Sequence, residues 1–132
     1  MSPAVDYMPG LMATSMSGAY VATLVSATTM FSDGSSTDTA ATGTDAWVVS
    51  IANAGDAAPP GPADVTVTAE KPWMPKHTHG SPTFPTVIMG DPGMFTESEM
   101  IIFQTGYWSV TLDLQPPSGA ADKVTFAICI RQ

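Results

Sequence analysis

Charge is scarce in this sequence. Asp, Glu, Lys and Arg make up only 12% of the 132 residues, about half the usual share for a globular domain. Lys and Arg number four against twelve Asp and Glu, for a formal net charge of −8. Binding to DNA, RNA or anionic lipid needs clustered Lys and Arg, so the composition argues against those partners. Cysteine is limited to Cys129, and no intrachain disulfide is possible. Cys129 lies in VTFAICI, where burial on a strand is expected. No stretch approaches the ~18 apolar residues of a membrane-spanning helix, and no signal peptide is visible. Met1-Ser2 is read as a start replacing a removed leader or lipid-anchor junction. Neither GxSxG, HExxH nor a phosphate loop occurs, and the chain is read as a non-enzyme.

What is present is a strand-forming composition. Hydrophobic residues reach 44%, enough for a core, and Thr, Ser, Ala, Gly and Pro take the place of charge. Turn residues divide the chain into strand-like runs at 18–29, 46–53, 63–70, 85–90, 95–105, 107–115 and 123–130. Trp47, Val49 and Ile51 alternate with more polar neighbours, as do Val65, Val67 and Ala69. Trp108, Val110, Leu112 and Leu114 form another inward face, and Val124, Phe126, Ile128 and Ile130 a fourth. In the 95–105 run Ile101 and Phe103 share one face, Met100 and Ile102 the other.

Seven strands with one apolar face each, and no helical period, predict an all-β domain. The expected form is an immunoglobulin-like, two-sheet antiparallel β-sandwich over residues 18–132, with a small barrel as runner-up. Residues 1–17 lack a strand pattern and are expected to form a methionine-containing arm.

One segment concentrates unusual chemistry. PWMPKHTHGSP, residues 72–82, holds both histidines of the chain, His77 and His79, with Met74 and three prolines. In an extended segment residues i and i+2 point the same way about 7 Å apart, so two imidazoles could meet one metal. Imidazole suits copper, zinc and nickel, and a thioether selects for Cu(I). Pro72, Pro75 and Pro82 would stiffen the loop, and Gly80 would permit a close approach to a ligand or a turn. The bland alternative has the imidazoles bonded to loop carbonyls and Met74 filling the core.

Nine methionines are many for this length. Met8 in YMPG echoes Met74 in WMPK, and the arm could bring Met8 to the same histidines. Met12 and Met16 fit packing better, as do Met89 and Met94. Zinc ranks below copper; it would need a carboxylate from Asp91, Glu97 or Glu99, and both glutamates are expected on solvated faces. A blue-copper centre is excluded, because it needs Cys with His nearby and no His follows Cys129.

The order YMPG, AWVVSI, DVTVTAEKPWMPKHTHG and GYWSVTLDL resembles the YtkA-like and FixH-like domains, small exported β-sandwich proteins. The resemblance runs from about Tyr7 to Ile130. It implies a periplasmic or otherwise extracytoplasmic protein linked to copper handling, with a copper-dependent partner protein and no enzymatic activity. The sequence therefore suggests a copper-binding protein for storage, buffering or delivery, with His77, His79, Met74 and Met8 as candidate ligands. The alternative is a structural or protein-interaction sandwich without metal, its proline-rich loops forming a contact surface. A sugar-binding sandwich using Trp73, Tyr107 and Trp108 ranks third.

Overall fold

A computed structural model describes residues 4–55 and 61–132. The first three residues of the expected arm and the centre of the 54–62 loop lie outside that description. The strands are β1 (Val5–Asp6), β2 (Leu11–Thr14), β3 (Tyr20–Met30), β4 (Ser36–Thr37), β5 (Gly43–Asn53) and β6 (Thr66–Ala69). They continue with β7 (Trp73–Met74), β8 (His79–Gly80), β9 (Thr86–Met89), β10 (Met94–Ile102), β11 (Gly106–Gln115) and β12 (Asp122–Ile130). No helix occurs among the described residues.

Two sheets pack face to face. One runs β2-β3-β5-β10-β9, with β4 on β3; the other runs β1-β12-β11-β7-β8, with β6 also on β11. The seven runs expected from the sequence are β3, β5, β6, β9, β10, β11 and β12. Lettered A to G in that order, they fall as A-B-E-D and C-F-G, the constant-type immunoglobulin arrangement. The core between the sheets is built by the alternating residues expected from the sequence. Trp47, Val49 and Ile51 meet Trp108, Val110, Leu112, Leu114, Val124, Phe126, Ile128 and Ile130, all buried.

The 5–14 segment is paired chain. β1 runs parallel to β12, with Val5 opposite Ile128, and β2 runs antiparallel to β3, with Leu11 opposite Leu24. One edge strand thus divides itself between the two sheets, in the stretch expected to be an arm. The intervening turn is fixed by Tyr7, whose hydroxyl oxygen accepts the Ala27 N–H at 3.0 Å. Cys129, expected to be buried, is half-exposed on the outer face opposite Asp6.

The clearest departure lies in β10. Phe95 and Glu97 point inward, and so do Met100 and Ile102. The odd-numbered phase changes to even at a bulge between Glu97 and Met100, where Glu99 has φ 58°. An inserted residue turns the rest of a strand over. It lets Phe95 on one phase and Met100 and Ile102 on the other share the core, and Glu97, in phase with Phe95, lies inside with them. Glu97 is therefore 1% exposed, contrary to the solvated face expected for it, while Glu99 is exposed.

Candidate metal centre

Strand β6 ends at Ala69, and Glu70 still pairs through its N–H to the Thr111 carbonyl at 3.0 Å. The chain then rejoins β11 at Trp73, opposite Ser109. There β7 and β8 form a hairpin in which Trp73 faces Gly80 and Met74 faces His79. The turn follows from its residues. Pro75 sets the backbone just after Met74, and the His77 N–H closes the turn on the Met74 carbonyl at 3.1 Å. Thr78 then adopts φ 52°, a conformation that β-branched residues rarely take.

This turn, rather than an extended strand, brings the imidazoles together. Their ring centres are 5.6 Å apart, with planes tilted by 41°. Metal–nitrogen bonds of about 2.0–2.1 Å place the centres of two imidazoles on one ion roughly 5–6 Å apart. The His79 ring stacks on Phe103 at 5.4 Å and 26°. Phe103 meets the buried Trp108 edge-on at 5.3 Å, and Trp108 Nε1–H donates to the Gln104 carbonyl at 2.9 Å. His79 thus leans on a ring braced by the core, while His77 is exposed at the turn. Among the described residues neither imidazole nitrogen is hydrogen-bonded, so the carbonyl-capping role is not what these side chains do.

The methionines separate. Met74 is wholly buried, and its Cε lies 3.0 Å from where a Cβ on Gly106 would stand. It fills the core beneath the hairpin, on the side that a cross-strand partner of His79 must share. Met8 is 58% exposed and follows β1, at the opposite edge of its sheet from β8. Four inter-strand steps separate β1 from β8, on the order of 19 Å. The arm therefore does not deliver Met8 to the histidines. Met12 and Met16 are exposed as well, and so do not fill a groove.

Other expectations are also redirected. A Cβ on Gly80 would lie 2.8 Å from Trp73 Cε3 and against the Pro72 carbonyl. Glycine is needed there for packing within the hairpin. Trp73 is 43% exposed and Trp108 fully buried, so the two do not form one stacking platform. No group of three His, Cys, Asp or Glu side chains gathers among the described residues. Asp91, Glu97 and Glu99 therefore do not complete a zinc site with the histidines.

Two carboxyls, Glu97 and Asp45, are almost wholly buried. Glu97 has no hydrogen-bond partner on either oxygen, and burial pushes its carboxyl up to about 8. Asp45, 1% exposed, accepts the Trp47 Nε1–H at 3.1 Å and lies 2.9 Å from the Thr29 hydroxyl. Burial outweighs those bonds, and one from the Ala41 N–H, and raises Asp45 to about 7. Asp45 was recoverable by extending the Trp47, Val49, Ile51 alternation one step back. Glu97 was not, because the local sequence does not mark the bulge.

Among the described residues no helix is long and apolar enough to cross a membrane. No family model, curated protein or solved structure matches the chain.

Proposed function

We propose that the protein binds copper, as Cu(I), through His77 and His79 at one end of an immunoglobulin-like sandwich. The observation that carries this reading is the imidazole pair, with ring centres 5.6 Å apart and nitrogens free of hydrogen bonds among the described residues. Cu(I) tolerates few ligands, and two neutral nitrogens with a thioether suit it. Met74 is held against the same hairpin, cross-strand from His79, and is the third donor in this reading. Met8 takes no part. The resemblance of PWMPKHTHG and GYWSVTLDL to the YtkA-like and FixH-like domains supports an extracytoplasmic role in storing, buffering or delivering copper to a partner protein. A donor set without thiolate suits an oxidising compartment.

The test is an anaerobic Cu(I) titration against a chromophoric competitor. The wild type takes up one equivalent, and the His77→Ala/His79→Ala double variant loses at least tenfold in affinity. Equal uptake by both proteins would sink the reading.

A specific observation also favours an interaction module. Among the described residues Lys71 and Lys76 carry no ion pair, while Lys123 and Arg131 do. Lys71 lies over Phe84 and Lys76 over Tyr107, and Trp73, Phe84 and Phe103 are exposed nearby in sequence or space. A cationic, aromatic hairpin on a chain of net charge −8 would suit an acidic partner surface. Under this reading, Cu and Zn additions leave the melting temperature unchanged.

A further inference from the structure

A single hydroxyl at the end of the first sheet has more partners than it has protons. The Thr29 Oγ1 accepts the Ala41 N–H at 3.0 Å. It also lies 2.8 Å from the Thr39 carbonyl oxygen and 2.9 Å from Asp45 Oδ1. Thr29 and Asp45 are 0% and 1% exposed, so water does not share the task. A hydroxyl carries one hydrogen and two acceptor lone pairs. It can donate to Thr39 or to Asp45, but not to both.

With Asp45 ionised, one of the two oxygen–oxygen contacts contains no hydrogen, and lone pairs face each other inside a dry interior. With a proton on Asp45 Oδ1, every contact becomes a hydrogen bond. Asp45 Oδ1–H and Ala41 N–H both donate to Thr29 Oγ1, Thr29 Oγ1–H donates to the Thr39 carbonyl, and Trp47 Nε1–H donates to Asp45 Oδ2. Two backbone groups of the 38–42 segment are then fastened to β3 through one side chain.

We propose that Asp45 is a proton-operated latch: protonated, it completes the bonds that hold residues 38–42 against the sandwich, and on losing its proton it loosens that segment. The groups facing Asp45 are Thr29 from β3, Trp47 from its own strand, Met100 opposite it on β10 and Ala41 from the segment itself, whose N–H, like the Thr29 and Trp47 donors, favours the ionised carboxyl; the bond that ionisation removes is the one from Thr29 to the Thr39 carbonyl. None of them ionises near neutrality. The ionisable groups on the elements around it are Asp38, which is exposed, Glu97 and Glu99 of β10, and Asp6, Tyr7, Cys129 and Arg131, which line a cleft with Thr39 and Ala40; Arg131 is paired with Asp6. Burial places the ionisation of Asp45 within reach of neutral pH.

The latch has a route to the rest of that end of the molecule. Thr42 and Gly43 line a cleft with Ile101, Ile102 and Phe103, and Phe103 is the ring on which His79 stacks. The Thr42 N–H also holds the Gln132 carbonyl at 2.7 Å. The latch does not depend on copper binding.

The test combines a carboxyl-carbon NMR titration of Asp45 from pH 4 to 9 with hydrogen exchange of the Ala41 amide, corrected for the intrinsic base-catalysed rate. The expected result is titration near 7 and at least a tenfold loss of Ala41 protection over the same step, with the Val110 and Leu112 amides changing less. Asp45→Asn, whose carboxamide can donate to Thr29 and accept from Trp47, should make Ala41 protection independent of pH. If that variant does not fold, the wild-type titration and exchange decide alone. An Asp45 carboxyl that titrates near its ordinary value, or Ala41 protection that ignores the step, overturns the proposal.

Discussion

The ring of His79 lies nearly parallel to that of Phe103, 5.4 Å away and 26° tilted. Phe103 is in turn held edge-on by Trp108. One histidine of the pair therefore has a fixed wall behind it, and the wall is anchored in the core. Replacing Phe103 by Leu removes two ring contacts, each worth about 0.5–1.5 kcal/mol beyond burial. Phe103 is 47% exposed, so the expected loss of stability is modest, about 1 kcal/mol, with weaker Cu(I) binding because His79 is less well held. Urea melts and competitor titrations of the same variant check both effects.

Met74 and Met8 should respond in opposite ways. Met74 is fully buried, and its replacement by Ala should cost about 2–5 kcal/mol. Met8 is exposed, and its replacement should stay within about 0.5 kcal/mol and leave copper affinity unchanged. Met74→Leu nearly conserves volume and should cost less than about 1.5 kcal/mol. Loss of Cu(I) affinity in Met74→Leu with the fold intact identifies the thioether as a donor; unchanged affinity makes Met74 packing alone.

Thr78 holds a strained turn. Its φ of 52° is costly for a β-branched residue, and such outliers store roughly 1–3 kcal/mol. Thr78→Gly relieves that strain but adds freedom to the unfolded chain, which offsets about 0.5–1 kcal/mol. The net expectation is a gain of about 1 kcal/mol. The same change loosens the joint between the two imidazoles, so Cu(I) affinity should fall as the melting temperature rises. Calorimetry together with a copper titration reads the two directions.

The buried carboxyls give stability a pH dependence with a definite sign. Glu97 at about 8 and Asp45 at about 7 both lie above the ~4 expected of an unfolded carboxyl. Their stabilising contribution is complete below pH ~4 and is lost as pH rises through 7 to 8. Asp122 works the other way. Burial alone would raise it, but hydrogen bonds from Ser17, Ser15 and the Lys123 and Ser17 amides hold it at about 2. Its contribution is present above the unfolded value and disappears as pH falls through about 2. The fold should therefore be most stable in mild acid, near pH 4 to 5, and weaken toward pH 8. Glu97→Leu removes one proton from the difference, flattening the decline by about 1.4 kcal/mol per pH unit. Denaturant midpoints from pH 4 to 9 for wild type and variant provide the check; parallel profiles would contradict it.

Much of the fold was legible because alternation is a direct record of burial. Trp47, Val49 and Ile51, or Leu112 and Leu114, declare their inward face with no outside help. The split edge strand was not legible: Val5–Asp6 and Leu11–Thr14 are too short to show a period, and their pairing depends on the edges that β12 and β3 leave open. At the candidate site the sequence marked the histidines, but it placed them on an extended segment. The turn at Pro75 and the positive φ of Thr78 were needed to bring the rings together. The echo of YMPG and WMPK suggested a meeting of Met8 with Met74, and sheet order puts β1 and β8 on opposite edges instead. The burial of Glu97 was not legible, because a one-residue bulge turns a strand over without changing its composition.

The central claim is that His77 and His79 share one ion. Long-range proton–nitrogen correlation of the two imidazoles during an anaerobic Cu(I) titration tests it most directly. Ring nitrogen signals from both His77 and His79 should shift together and stop at one equivalent of copper. Shifts in only one ring, or copper uptake with neither ring responding, would contradict the account.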